Sequence, residues 1–364
     1  GEGIKWKIGA RADVDLAYTA GNDFYPPDVR RDQRASFMLR ENYLDFSAFG
    51  LDMRVGRQHI VWGEMVGLFF ADVVSARDMR EFFLPEFDQM RTPQWAVRGE
   101  YFKGDFHAEF VWVPYPSFDS IGRPGADFFA MPYLLPGRSF TINEEQKPTR
   151  KLRNSNYGVR ASYLWSGWDL SAFYYRSLDI NPVFLRDASG PGDVVYTPRH
   201  EWIHQWGGTL SKDMGLFVLK AEGVVTFDRR VDVSTPTSPD GLMAQKMLDY
   251  ALGADFTLPG ETRLNLQYFE RLHIDPVPGL TANKHEPGYA ILVNRKLAPE
   301  WEVEVLGVQS LSRHDWMLRP HVDWKFARDW RARFGIDAFG GNSSGFFGRF
   351  GKADRAYAEM RFSF

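Results

Sequence analysis

The sequence predicts an all-β fold: a single antiparallel barrel that crosses a membrane on 16 strands, with short periplasmic turns and long extracellular loops. Three observations predict it. The two ends of the chain alternate between apolar and polar residues in the same way, tight and long connections take turns along it, and aromatic residues collect where strands meet tight turns.

From Gly3 to Ala20 the even positions Trp6, Ile8, Ala10, Ala12, Val14, Leu16 and Tyr18 are apolar or small. The odd positions Lys5, Lys7, Arg11, Asp13 and Asp15 are charged. A strand sends successive side chains to opposite faces, so this segment has one face for hydrocarbon and one for water. The closing residues repeat the pattern, with Ala356, Ala358, Met360, Phe362 and Phe364 against Arg355, Tyr357, Glu359 and Arg361. Shared two-sided character at both ends predicts that the first and last strands meet at the seam of a closed barrel.

Composition supports this class and excludes others. Among 364 residues, 44% are apolar and 25% charged, and no run of 18 uncharged apolar residues occurs, so a transmembrane helix is excluded while alternating strands are not. Aromatic content is 16%, with 12 Trp and 30 Phe, a supply suited to rings placed at water–lipid boundaries. Cysteine is absent, which removes thiol catalysis and zinc–thiolate sites, and a net charge of -3 offers no bulk attraction to nucleic acid. No cofactor or metal is predicted. No export signal precedes Gly1, and the chain is read as a mature or a trimmed form.

Gly, Pro and Asp chemistry marks seven tight turns, at 49–52, 103–105, 166–167, 213–215, 259–261, 298–300 and 327–329. Longer polar or Gly/Pro-rich links lie near 20–33, 62–92, 114–153, 178–199, 229–244, 272–285, 310–314 and 340–350. Fifteen connections make 16 strands, at 3–19, 34–48, 51–61, 93–102, 105–113, 154–165, 167–177, 200–212, 215–228, 245–258, 261–271, 286–297, 300–309, 315–326, 329–339 and 351–364. The whole chain, 1–364, is then one barrel. Trp165, Trp168, Trp301, Trp324, Phe326 and Trp330 flank the tight turns, with Trp6 and Phe364 at the matching ends of the terminal strands. Tyr18, Trp95 and Trp112 would form the opposite belt.

The polar face gives a charged lumen. Lys5, Lys7, Arg11, Arg319, Lys325, Arg331, Arg333, Arg355 and Arg361 form a mostly basic wall on four adjacent strands. Such a wall either selects anions or is neutralised by acidic neighbours; both readings stand at this point. The link 114–153, with its aromatic run Phe128–Tyr133, is expected to fold into the lumen as a constriction carrying Asp119, Arg123, Asp127 and Arg138. An extracellular cap, or contact with a neighbouring protomer, is the other reading. In the link 62–92, Ser75 would cap a short helix, and the segment would plug or brace the pore.

The run Arg54-Val55-Gly56-Arg57-Gln58-His59-Ile60-Val61-Trp62-Gly63-Glu64, followed by Asp72 to Arg80 and Leu84-Pro85, resembles an uncharacterised family of Gram-negative porin-like barrels. Its Gly-Arg-Gln element is similar to that of the alginate-export porins. The resemblance covers about 35 residues and implies outer-membrane location and passive passage, with an inner-membrane exporter or periplasmic partner. Alginate exporters have 18 strands, so their substrate is not carried over to a chain of 16. Arg57 breaks the alternation, and a β-bulge near Gly56 would turn Arg57 and Gln58 inward. Arg57 is then expected to pair with Glu64 or Asp78.

The reading is a channel in a lipid bilayer passing small polar or anionic solutes or an exported product. A plugged scaffold working with an export or electron-transfer complex is the alternative. A hydrolase is the third class, but none of the eight histidines stands in a Gly-x-Ser-x-Gly or His-Glu-x-x-His setting, and His200 and His204 are too far apart on a strand to share a metal easily. A TonB-type transporter is disfavoured because no plug precedes the first strand.

Overall fold

The computed structural model describes residues 3–19, 24–63, 65, 70–190, 192–234 and 238–363. Its main sheet has 16 strands in sequence order: β1 (Lys5–Val14), β2 (Ala35–Ala48), β3 (Leu51–Gln58), β4 (Gln94–Lys103), β5 (Phe106–Tyr115), β6 (Asn156–Trp165), β7 (Trp168–Leu178) and β8 (Trp202–Asp213), then β9 (Phe217–Asp232), β10 (Leu242–Leu258), β11 (Thr262–Ile274), β12 (His285–Ala298), β13 (Trp301–Ser310), β14 (Asp315–Ala327), β15 (Trp330–Gly341) and β16 (Arg355–Phe362). Every neighbouring pair is antiparallel, and the seven tight turns join the strands that the sequence assigns to them.

Burial is inverted relative to a water-soluble sheet. Along β16 the apolar Ala356, Ala358, Met360 and Phe362 are exposed, while Arg355, Tyr357, Glu359 and Arg361 are half-buried. In β1, Trp6 and Ile8 are 68% and 63% exposed, whereas Asp337 in β15 is fully buried. Hydrocarbon outside and water inside is the solvent arrangement that makes this distribution favourable. At the tight-turn rim the outward aromatics form a row: Trp301 stacks on Trp324 at 5.2 Å, Trp324 meets Phe326 at 5.2 Å, and Trp330 meets Phe362 at 4.8 Å. Phe364 lies outside the described residues.

Four local expectations are corrected. Alternation continues past Val14, but the Asp15 carboxylate accepts the Ala17 N–H at 2.8 Å and starts a 3-10 turn at Leu16–Tyr18. Tyr18 therefore packs at a tilt against Tyr25, ring centroids 4.7 Å apart, instead of ending a lipid-facing stripe. Ser75 caps no helix; its hydroxyl donates to the Ile60 carbonyl at 2.6 Å, and Ala76–Arg77 pairs with Arg91–Thr92 as a short ladder. The bulge expected at Gly56 sits on the adjacent strand, where β1 and β2 change register between Ile8 and Ala10. Gly56 keeps an unbroken ladder but has φ 132, and a Cβ there would lie 2.3 Å from the Asn42 carbonyl oxygen. Finally, β9 and β10 run 16 and 17 residues, beyond what crosses a bilayer. On their long-loop side, within stretches whose composition predicts loop, stands a small sheet: Val183–Asp187 antiparallel to Val194–Arg199, with Phe140–Ile142 parallel to the latter.

The sheet is not closed: among the described residues no ladder joins β1 to β16. In hydrocarbon an unpaired backbone group costs several kcal/mol, so two free edges side by side are driven to pair. A cysteine at Ile8, tested against single cysteines at Ala356, Ala358 and Met360, is expected to form an intramolecular disulfide with one of them in native membranes. Absence of a cross-link at all three would show that the edges stay apart.

Candidate lumen site and its inner strap

After β3 the segment formed by the described residues of 60–63 and 70–90 leaves the wall and enters the lumen. Its first part is held by apolar packing: Ile60, Trp62, Ala71, Val73 and Val74 form one buried cluster with Val111, Val113, Phe173, Tyr175 and Val224 of the inner wall. Trp62 is 1% exposed, and its indole N–H donates to Glu109 Oε1 at 3.0 Å. Gly158 leaves the space for it, since a Cβ at that position would meet Tyr175 and Trp62 at 2.5 and 3.0 Å.

The second part, residues 77–91, forms a strap held by the wall arginines. Arg319 donates from Nη1 to the Phe83 carbonyl at 2.8 Å and from Nη2 to the Leu84 carbonyl at 2.5 Å. Arg333 and Arg361 reach the Glu86 carboxylate at 3.0 and 3.2 Å, and Arg355 reaches Glu81 at 3.0 Å. From the other edge of the sheet, Arg11 and Arg40 both donate to the Gln89 carbonyl, at 3.0 and 3.1 Å. The same guanidinium groups keep wall partners through Nε: Arg319 and Arg355 on the two oxygens of Asp337, each at 2.8 Å, and Arg333 on Asp323 at 2.8 Å. A planar fork with five donors can bridge two partners in this way, which an ammonium group does less well.

Of the predicted basic wall, the four arginines Arg319, Arg333, Arg355 and Arg361 thus come together as the receptor of the strap. Arg361 also meets Glu359 at 2.9 Å. Lys7 pairs with Glu41 at 2.7 Å and Arg11 with Asp13 at 2.7 Å. Lys5, Lys325 and Arg331 lie toward the tight-turn mouth and have no ion pair among the described residues.

The motif residues have structural partners. Arg54 makes two bonds to Asp45, at 2.6 and 2.9 Å, and lies over the Tyr43 ring. Gln58 is fully buried and donates to the Ala96 carbonyl at 3.1 Å. Glu64 lies outside the described residues. Arg57 does not pair with Asp78, which is taken by Arg80 at 2.6 Å. Nearby, burial and then Arg40 pull His59 down to about 4, and its neutral ring accepts from Arg40 at 3.1 Å.

The four residues expected at a 114–153 constriction do not meet. Asp127 accepts from Tyr25 at 2.8 Å, Arg138 donates to the Gly192 carbonyl at 2.6 Å, and Arg123 comes only within 3.8 Å of Glu144. Asp119 alone goes inward: it is fully buried, accepts the Arg77 N–H at 2.7 Å, and leaves its second oxygen without a bond. Residues 117–120 dock on the strap through Met79 N–H to the Ser120 carbonyl and Ser120 N–H to the Arg77 carbonyl, each at 2.8 Å. Residues 81–87 stand between two cavities, and Phe128 of the 114–153 link goes inward beside them, buried and stacked on Phe82 at 6.4 Å.

Two cavities result, about 730 Å³ on the long-loop side and about 690 Å³ on the tight-turn side, and both touch Phe87 and Leu306. Glu100, His107 and Glu109 are close enough to suggest a metal site, but Arg98 bonds both carboxylates, at 2.7 and 3.2 Å, and supplies the charge a metal would. Sequence reasoning missed the strap carboxylates Glu81 and Glu86 and the loop arginines Arg313 and Arg349. The run Gly345-Phe346-Phe347-Gly348-Arg349-Phe350, too apolar for a solvated loop, was the available signal for the latter.

Burial pushes the Asp119 carboxyl up to about 6. The folded value lies above that of the free side chain, so the charged form is penalised in the docked loop. The penalty is complete above pH 6 and vanishes as pH falls toward 4, and amounts to roughly 2–3 kcal/mol. Asp119→Asn retains the acceptor for Arg77 and is expected to slow proteolysis of the docked loop at pH 7.5 while leaving the rate at pH 4.5 unchanged. Equal pH dependence in both proteins would show that Asp119 does not titrate.

Comparisons with known proteins agree with this architecture. The chain aligns with Pseudomonas aeruginosa OpdK, solved with vanillate, at 10% identity and a TM-score of 0.51, covering 98% of this chain and 88% of that one. It aligns with P. aeruginosa OccK3 (OpdO) at 9% identity and a TM-score of 0.50, covering 90% and 78%. At such identities the likeness concerns the fold, which is that of bacterial outer-membrane barrels. No curated protein matches the sequence, and nothing in these comparisons supports the likeness to alginate exporters. The family profile described as "Protein of unknown function (DUF1302)" matches residues 7–273, well over half of the chain, and the protein belongs to that family.

Proposed function

We propose that the protein is an outer-membrane channel for passive passage of small polar or anionic solutes, with the strap at residues 81–87 as its constriction. One observation carries this reading: a charged interior with two chambers of about 730 and 690 Å³ that meet at Phe87 and Leu306 on either side of the strap. The apolar exterior with its aromatic row supports membrane insertion, and the fold shared with porins favours transport over hydrolysis. Lys5, Lys325 and Arg331 bias the tight-turn mouth toward anions, since their charges have no carboxylate at ion-pair distance among the described residues. An inner-membrane exporter delivering its product to that mouth is compatible with the same charge.

The plugged-scaffold reading draws on the apolar filling around Phe82, in which Phe128, Phe339, Phe347 and Phe350 are all buried. Bilayer recordings separate the two. The wild-type protein is expected to conduct, and Glu81→Gln with Glu86→Gln, which removes the strap's charged anchors, is expected to raise single-channel conductance. A silent wild type with a conducting double variant would establish the plugged form. Lys5→Glu, Lys325→Glu and Arg331→Glu together should move the reversal potential toward cation preference; no movement removes the anion bias.

A further inference from the structure

The long-loop chamber differs from a purely polar passage in one respect: nine phenylalanines stand in its lining. Phe70, Phe83, Phe269 and Phe346 stand partly exposed on its walls, with Met317 and Leu306 beside them. Phe346 is 49% exposed and meets Phe83 at 5.9 Å, and Phe70 meets Phe269 at 6.3 Å. Apolar surface left facing a cavity is surface that an apolar solute can cover.

The same chamber is lined by cations that the wall does not neutralise. Arg229 and Arg271, on the same chamber, are spent on Asp179 and Asp249, each at 2.7 Å. Arg313 and Arg349 have no carboxylate within ion-pair distance among the described residues. Arg313 donates to the Thr281 carbonyl at 3.1 Å and the Ser344 hydroxyl at 3.4 Å, and Arg349 donates through Nε to the Gly345 carbonyl at 3.0 Å. Their placement is built: fully buried Asp315 accepts the Phe347 and Gly348 N–H groups at 2.6 and 3.2 Å, and Gly345 and Gly348 pack where no Cβ would fit. His273 adds a second sign of a missing partner. It is 2% exposed, lines the chamber, and neither ring nitrogen has a hydrogen bond; its neighbour Glu286 is 3.8 Å away. Buried polar groups ordinarily find partners.

We infer that the long-loop chamber binds an amphipathic carboxylate, its anionic head held by Arg313 and Arg349 and its apolar body lying on Phe83, Phe346 and Phe269. The inference rests on the channel reading only in placing a solute in the lumen. A small neutral or cationic solute would leave both guanidinium groups unanswered, and a fully polar anion would leave the phenyl rings uncovered.

Binding is measured by titration calorimetry on the refolded barrel in detergent, so that it does not depend on conduction. The probes are phenylbutyrate, acetate as head alone and phenylbutyramide as body alone. A charged hydrogen bond contributes about 1.5–3 kcal/mol, so phenylbutyrate should bind at least about tenfold more tightly than either fragment. Arg313→Gln with Arg349→Gln should erase its advantage over the amide, and Phe346→Ala its advantage over acetate. Arg328→Gln, at an exposed tight turn, serves as the charge control, and heat-modifiable mobility confirms that each variant is folded. Equal affinity for the three probes, or an unchanged phenylbutyrate affinity in the folded arginine variant, overturns the inference. Tight phenylbutyrate binding by a barrel that does not conduct would retain the site and reject the channel.

Discussion

Everything inside this barrel depends on the forked arginines of β14, β15 and β16. Each holds a wall carboxylate and a group of the strap with the same guanidinium, so the charge that stabilises the wet wall also positions the segment dividing it. A guanidinium taken from water into a half-buried lumen must find several acceptors, and Asp337, Asp323, Glu86 and the Phe83 and Leu84 carbonyls together provide them. The strap also receives bonds from Arg11 and Arg40 at the opposite edge of the sheet, so one inward segment touches both sides of the seam.

Polar bonds alone would leave the strap free to slide, and two apolar clusters prevent that. One wraps Trp62 against the β5, β7 and β9 wall; the other gathers Phe82 with Phe128, Phe339, Phe347 and Phe350. Rings inside a lumen are buried from water much as in a soluble core, while the rings outside face lipid. The interior is thus a small folded core within a barrel, and the two chambers lie beside it.

Much of the barrel was legible because strand alternation and turn chemistry are local. The tight turns and the lipid-facing residues Trp301, Trp324 and Trp330 are identified by their own neighbours in sequence. The site was legible only in part. Arg319, Arg333, Arg355 and Arg361 could be placed on the inner face, but their partners Glu81 and Glu86 lie some 230 to 280 residues away and no periodicity links them. Asp127, Arg123 and Arg138 do not meet because a long loop's direction is set by what it docks against, here Tyr25 and the Gly190 and Gly192 carbonyls.

By itself the sequence determined the strand count, the direction each strand faces and the charge of the inner wall, since a two-residue period and a Gly- or Asp-marked turn are properties of a few adjacent residues. Tertiary structure decided which inward segments meet in the lumen, which arginines are spent on carboxylates and which have no carboxylate at ion-pair distance among the described residues. Those outcomes depend on hydrogen-bond geometry and packing between residues far apart in the chain, and a basic residue reads the same in sequence whether its fork is filled, as in Arg333, or open toward a chamber, as in Arg349.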